Sequence, residues 1–450
     1  MSAVPVSTRR RLPALAGALS LSGATVASGV LAYAFQVLAA RTLDQDAYGR
    51  VALLWAATFL VAIAVFRPVE QTLARTLVDR IARGHEVRSV VRAGLLAAGA
   101  AIIAVAAAGA ISWSWAAHRL FGGDDVLMAM LVAGVCAYGL SYVARGLFGG
   151  LRWFNGYALL LLTDGVGRFV VALPLLVAAT DWVAGAAIAA AGAVGAIVPL
   201  LAGRRRLAGL RAAGEGGEPF RLRGAAGFAG SATVITVADQ VLINGAPLLV
   251  IAAGGPDAAE VAGVVFAATM LVRAPVFVFQ GLAAALLPNF THLQTSHSLA
   301  PFRDAVTRTA RLLAAFGVLL VAGTAIAGPF SLRLLFGEDF AAGRLELVLL
   351  AVGVAFYLVS TTLSQALLAL DLAGRSALAW AASAGALVGL YAVLPGEPLL
   401  RVSAAFAGAA VVGAAILTPV IASRLRVRRP EPLHGGLGVE ELPHAVTGAH

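Results

Sequence analysis

Three of the long apolar runs in this 450-residue chain carry charged side chains near their midpoints. Asp164 and Arg168 share one run, Asp239 lies in a second and Arg273 in a third. Charges in such surroundings are costly unless they face protein, a ligand or water, so they mark candidate ligand or ion pathways. Asp164 and Arg168 are spaced i,i+4, on one helical face where each can neutralise the other. Asp239 and Arg273 admit two readings: a buried pair that only fixes packing, or a pair from which an anionic ligand draws the arginine away. Two uncharged stripes accompany them. Ser22, Thr25, Ser28, Tyr33 and Gln36 fall within an arc of about 140° on one helix, and Thr233, Thr236, Asp239, Gln240 and Asn244 do the same on another. Helix–helix hydrogen bonding or a wet cavity would account for either stripe, and their recurrence favours a shared cavity. The candidate cavity residues are therefore Arg168, Arg273, Asp239, Gln36, Thr25, Gln240 and Asn244. Arg67 and Glu70 flank Pro68 near the end of a further run, where proline can bend the helix and Arg67 can snorkel to the interface.

Other chemistries find little support. Cys136 is the single cysteine, so neither an intrachain disulfide nor a CxxC metal site exists. The seven histidines (His85, His118, His292, His297, His434, His444 and His450) fall in expected loops or the tail, without acidic company that would build a metal site. No nucleophile constellation or phosphate-binding loop is present, so neither an enzyme nor a cofactor is expected. The net charge of +10 has a better explanation than nucleic acid, which follows from how the arginines are distributed.

The elements that must position these residues are membrane-spanning helices. Hydrophobic residues make up 60% and charged residues 12%, with a mean hydropathy of +0.89. Soluble domains carry roughly twice that share of charge, so lipid is the expected solvent. Twelve runs are long enough to cross a bilayer as helices. They lie near 14–40, 48–68, 93–112, 126–144, 156–178, 183–202, 226–252, 260–287, 309–330, 345–369, 376–394 and 399–422. All 33 basic residues are arginine. With the N-terminus in the cytoplasm, 25 fall in inner segments, six in outer segments and two within spans, as the positive-inside rule requires. Both termini are expected to be cytoplasmic. Arg9–Arg11 before the first run is read as the flank of an uncleaved anchor. Outer loops stay below about 15 residues, which excludes a folded extracytoplasmic domain and weighs against a polytopic glycosyltransferase. Asp124-Asp125 reads as a helix start.

The longest inner loop divides the runs six and six. The expected organisation is an all-α polytopic protein: an N-terminal six-helix lobe over 1–202, a cytoplasmic linker over 203–224, a C-terminal six-helix lobe over 225–427 and a polar cytoplasmic tail over 428–450, with the two lobes around a central cavity.

Phe35-Gln36-Val37-Leu38-Ala39-Ala40-Arg41-Thr42-Leu43 closes the first span, and Asp44-Gln45-Asp46-Ala47-Tyr48-Gly49 leads into the second. Together with Arg273-Ala274-Pro275, Leu287-Pro288-Asn289 and the six-plus-six layout, these segments resemble the multidrug/oligosaccharidyl-lipid/polysaccharide (MOP) exporter superfamily, within it the bacterial polysaccharide-export flippases. The resemblance covers roughly residues 12 to 425. It implies a plasma-membrane flippase that turns a lipid-linked oligosaccharide from the inner to the outer leaflet by alternating access, working with glycosyltransferases and a polysaccharide polymerase. Two alternatives stand beside it. Multidrug exporters of the superfamily share twelve spans but favour acidic cavities. Major-facilitator transporters share the six-plus-six layout, but their loop signature is only partly matched: Asp79-Arg80 and Arg83 fit, whereas Arg75 and Ala82 stand where glycines belong.

Overall fold

The computed structural model describes residues 11–208, 226–254, 258–274, 276 and 300–425. Among these residues the chain is helical and contains no strand. The helices are α1 Arg11–Thr42, α2 Gln45–Ala82, α3 Arg88–Ile111, α4 Trp113–Phe121, α5 Asp125–Gly150, α6 Phe154–Ala172, α7 Asp181–Ala202 and α8 Arg204–Ala208. After 209–225 come α9 Ala226–Ala253, α10 over 258–274, α11 Ala300–Phe336, α12 Arg344–Ala369, α13 Ala373–Val393 and α14 Pro398–Leu425.

Eleven helices among the described residues are long and apolar enough to cross a membrane. The expected eighth span falls on α10, and its last part, 277–287, lies outside the described residues, as do the linker beyond Ala208 and the tail beyond Leu425. Three elements differ from expectation. Helix α2 runs on to Ala82 and α11 begins at Ala300, because both continue as charged amphipathic turns beyond their apolar stretches. The short α4, expected as loop, is stopped by Gly122 in the left-handed region at φ 64°. The starts are governed by side-chain caps. Asp44 accepts from the Ala47 amide at 2.8 Å, and Asp124 accepts from Val126 and Leu127 at 2.8 and 3.0 Å.

Exposed Leu96, Ile103 and Ile111 on α3, and Leu312, Leu319, Ile326 and Phe330 on α11, show where the bundle presents its apolar flank. A belt of this kind has no stable place in water. The central helices α2, α9 and α12 are mostly buried.

The packing distinguishes the two ends of the bundle. The loops after residues 42, 121, 253, 336 and 393 gather at an arginine-poor end, and those after 82, 150, 202 and 369, with the last turn of α14, at an arginine-rich end. Toward the arginine-poor end, one core joins both halves of the chain: Phe35, Tyr48, Val51, Trp55 and Leu127 pack with Leu242, Phe266, Phe336, Leu350 and Phe406. Toward the arginine-rich end the core splits. Leu73, Leu77, Val90, Val143 and Leu147 form a cluster of the first half alone, and Phe302, Val306, Leu363, Leu367 and Ile421 one of the second. Halves that share a core at one end and keep separate cores at the other leave a cleft between them.

Candidate functional site

Close helix approaches set the polar residues of the first half side by side. Gly146 of α5 faces the Glu70 backbone, where a Cβ would lie 2.9 Å from the Glu70 carbonyl oxygen. This contact brings α2, with Arg67 and Glu70, against α5, with Tyr138, Tyr142 and Arg145. Gly195 of α7 similarly allows the close packing of Asp164 on α6.

The buried carboxylate of Asp164 is the hub. It accepts from Arg168 at 2.7 Å, from the Tyr138 hydroxyl at 3.1 Å and from Arg145 at 3.4 Å. Arg168 also donates to the Tyr138 oxygen at 2.8 Å. Its guanidinium lies 4.8 Å from the Trp55 ring centroid and 5.6 Å from that of Phe59. The i,i+4 pair expected from sequence is therefore present, inside a larger network. Arg168 is only 3% exposed and its Nη2 is bonded to both Asp164 and Tyr138, although its buried Nε has no partner, so it fixes the site more than it offers a free charge.

Arg67 contrasts with it. This side chain is exposed although it lies within α2, and among the described residues it has no ion-pair partner within 4.0 Å. Electrostatically it senses Glu70, Tyr142 and Tyr157 of its own half and Asp239 of the other. Glu70 is held instead by the Tyr157 hydroxyl at 2.7 Å. Arg67 lies within electrostatic reach of Glu70 of its own half and Asp239 of the other, and so beside the gap between the halves.

In the second half, Asp239 accepts from the Tyr357 hydroxyl at 2.7 Å and from Gln240 at 2.8 Å. Asn244 in turn donates to Gln240 at 2.9 Å. Arg273 is buried and donates to the Ile243 carbonyl. The Asp239–Arg273 pair considered from sequence is not an ion pair here: α9 turns Asp239 toward Tyr357 of α12, and the guanidinium finds a backbone acceptor.

The first stripe is placed differently. Thr25 returns its hydroxyl to the Leu21 carbonyl at 2.8 Å, spending its donor on its own helix. Gln36, expected beside a wet cavity, is wholly buried at 0% exposure, and neither amide atom has a hydrogen-bond partner. It lies against the shared core, away from the cleft.

Sequence reasoning passes over Arg145, Tyr142 and Tyr157, and reads Arg67 only as a side chain able to snorkel to the interface. Tyr138, Tyr142 and Arg145 recur at i, i+4 and i+7, the same kind of stripe that singled out α1 and α9. No group of three or more metal-ligating side chains occurs among the described residues. Among the described residues the cleft offers one guanidinium without an ion pair, a partly engaged one in Arg145, tyrosine hydroxyls and one carboxylate without a cation at bonding distance.

No protein-family model matches the chain. An uncharacterized protein of Mycobacterium tuberculosis is 26% identical over 400 residues, covering 84% of this chain and 89% of that protein. A second uncharacterized protein of Mycobacterium tuberculosis is 25% identical over 417 residues, 92% and 93% of the two chains. Among solved structures, the inward-facing conformation of a multidrug resistance MATE family transporter of the MOP superfamily superposes with a TM-score of 0.66 at 16% identity, over 85% of this chain and 95% of that one. The outward-facing conformation of a transporter of that description gives 0.65 at 15% identity, over 91% and 95%. A MOP superfamily transporter from Pyrococcus furiosus, whose binding pocket is described as of reverse polarity suggesting a different function, gives 0.61 at 13% identity, over 91% and 95%. The polytopic all-α fold is thus that of the MATE transporters of the MOP superfamily.

Proposed function

We propose that this chain is a membrane transporter that moves an anionic lipid-linked oligosaccharide, a polysaccharide precursor, from the inner to the outer leaflet by alternating access. The observation that carries the reading is Arg67, a cation within α2 that lies beside the cleft and has no ion-pair partner among the described residues. The phosphate of such a headgroup needs a cation where it leaves water, and Arg67 offers one. The Tyr142 hydroxyl and the second amide hydrogens of Gln240 and Asn244 are of the kind that sugar hydroxyls accept, and the Tyr157 oxygen, whose proton goes to Glu70, can accept in turn. A cleft open to the bilayer would leave the lipid tail among other tails. In this reading the arginine-rich end is cytoplasmic in the cell membrane, both termini lie inside, and residues 1–202 and 225–427 are the moving lobes. The working partners are the bilayer, the lipid-linked glycan, and the glycosyltransferases and polymerase on either side of the step. The cycle is physical transport and involves no catalysis, cofactor or nucleic acid.

A multidrug reading has one observation in its favour: among the described residues Asp239 has no cationic partner within 4.0 Å, and it would suit a cationic drug. Deleting the gene separates the two. Loss of a surface glycan with drug tolerance nearly unchanged is expected, whereas intact glycan with sharply increased sensitivity to cationic drugs would select the multidrug reading. Orientation is checked in a Cys136→Ser background. Glu338→Cys should react with an impermeant thiol reagent in intact cells and Arg375→Cys only after permeabilisation; the reverse pattern overturns the placement.

A further inference from the structure

The contacts that close the arginine-poor end are unusual in what they grip. Helix α11 ends at Phe336, so the carbonyls of Leu334 and Leu335 are among the last four, which have no partner within the helix. Arg41, at the end of α1, donates to both, to Leu335 at 3.0 Å. Helix α9 ends at Ala253, and Arg119 of α4 donates to the Ala252 carbonyl at 2.9 Å. Gly254 leaves room for this contact: at φ 76° it accommodates no Cβ without strain, and a Cβ there would lie 3.2 Å from the Arg119 guanidinium. Each arginine therefore belongs to the first half and seats its charge on the negative end of a helix dipole of the second. Gln45 adds a bond to the Asp339 carbonyl at 2.6 Å. Between these points the backbones touch. A Cβ on Gly49 would collide with the Ala259 carbonyl, and one on Gly263 would lie 3.1 Å from the Gly49 Cα. Tyr33 meets Phe336 and Tyr48 meets Phe340 edge to face.

The same closure buries polar atoms that it does not satisfy. Both amide atoms of Gln36 and the hydroxyl of Tyr48 have no hydrogen-bond partner, and both residues are 0% exposed. Unpaired buried polar groups oppose the state that buries them, because water would satisfy them on opening.

We propose that the arginine-poor end is a gate whose closed state is held by Arg41 and Arg119 as latches on helix carbonyl ends, and is poised to open by the orphan amide of Gln36. The grip is on backbone carbonyls, so it is indifferent to the receiving side chains. Latch and orphan group act with opposite sign, which gives the device a signature that simple packing lacks. The proposal rests on the alternating-access reading, but its test needs no cargo, so its failure and that of the export assay are separate results.

The test measures thiol-labelling rates in membranes, in the Cys136→Ser background, with two reporters used singly. Val51→Cys lies in the shared core at 0% exposure, and Arg67→Cys lies in the cleft at the other end. Arg41→Ala combined with Arg119→Ala should raise the Val51→Cys rate at least about tenfold, the scale of losing a charge-assisted hydrogen bond, and should slow labelling of Arg67→Cys. Gln36→Leu should do the reverse, with Arg67→Cys reacting faster. Rates unchanged within about twofold in the latch variants overturn the proposal. Acceleration of both reporters together also overturns it, since that reports general loosening.

Discussion

Asp164 and Asp239 are carboxylates within apolar helices, one in each half, and their surroundings differ in kind. Asp164 is enclosed by two arginines and a tyrosine, and Arg168 is further fixed over Trp55 and Phe59. Among the described residues Asp239 is held by Tyr357 and Gln240 alone, while the buried Arg273 bonds a carbonyl instead. A carboxylate saturated by cations and sealed from water behaves as structure. One held by neutral donors, across a cleft from Arg67, keeps charge to spend on a ligand or on the other half. Tightly paired charges therefore identify the scaffold of this site, and under-paired ones identify its working surface.

The comparison can be broken by substitution. The largest effect is expected at Asp164. Asp164→Ala strands Arg168 and Arg145 in a buried place and should cost about 3–5 kcal/mol, read as a fall in membrane abundance and in the melting temperature of the purified protein. Normal stability in that variant would remove the distinction between scaffold and working surface. Asp239→Asn keeps acceptor capacity for Tyr357 and should cost no more than about 1 kcal/mol, while transport falls. The Asp239→Asn and Arg273→Ala double-mutant cycle should show a coupling below about 1 kcal/mol, since these side chains form no ion pair. A larger coupling would restore the structural pair that the sequence left open. The smallest effect belongs to Tyr357→Phe, about 1 kcal/mol or less from one lost hydrogen bond, with the same direction of change in transport as Asp239→Asn.

The fold was legible because lipid imposes a simple rule, that a spanning segment is a long apolar helix, and the runs near 126–144 and 345–369 reappear as α5 and α12 with little shift. The Asp124 cap was read correctly for the same local reason. The site was legible only in part. The Asp164–Arg168 pair follows from spacing within one helix, whereas the separation of Asp239 from Arg273 depends on how α9 is rotated against α12, which no spacing contains. Arg67 and Arg145 lie near the ends of apolar runs, where the sequence alone places charges at the interface. The helices continue past those ends, α2 by more than ten residues beyond Arg67, and so carry these charges into the cleft. Gln36 was misplaced because a polar stripe shows which face is not lipid, but not whether that face meets water or a closed core.

The central claim, that an under-paired cation in the cleft receives an anionic lipid-linked cargo, is tested most directly by translocation in proteoliposomes. A pyrophosphate-linked oligosaccharide lipid bearing a fluorescent sugar is placed in the bilayer, and its movement between leaflets is followed by accessibility to a membrane-impermeant quencher. The wild-type protein should move it, Arg67→Ala should abolish the movement at unchanged melting temperature, and Arg67→Lys should restore part of it. Movement of the lipid at wild-type rate by Arg67→Ala would contradict the account, as would uptake of a cationic dye by the wild-type protein with the pyrophosphate lipid left in place.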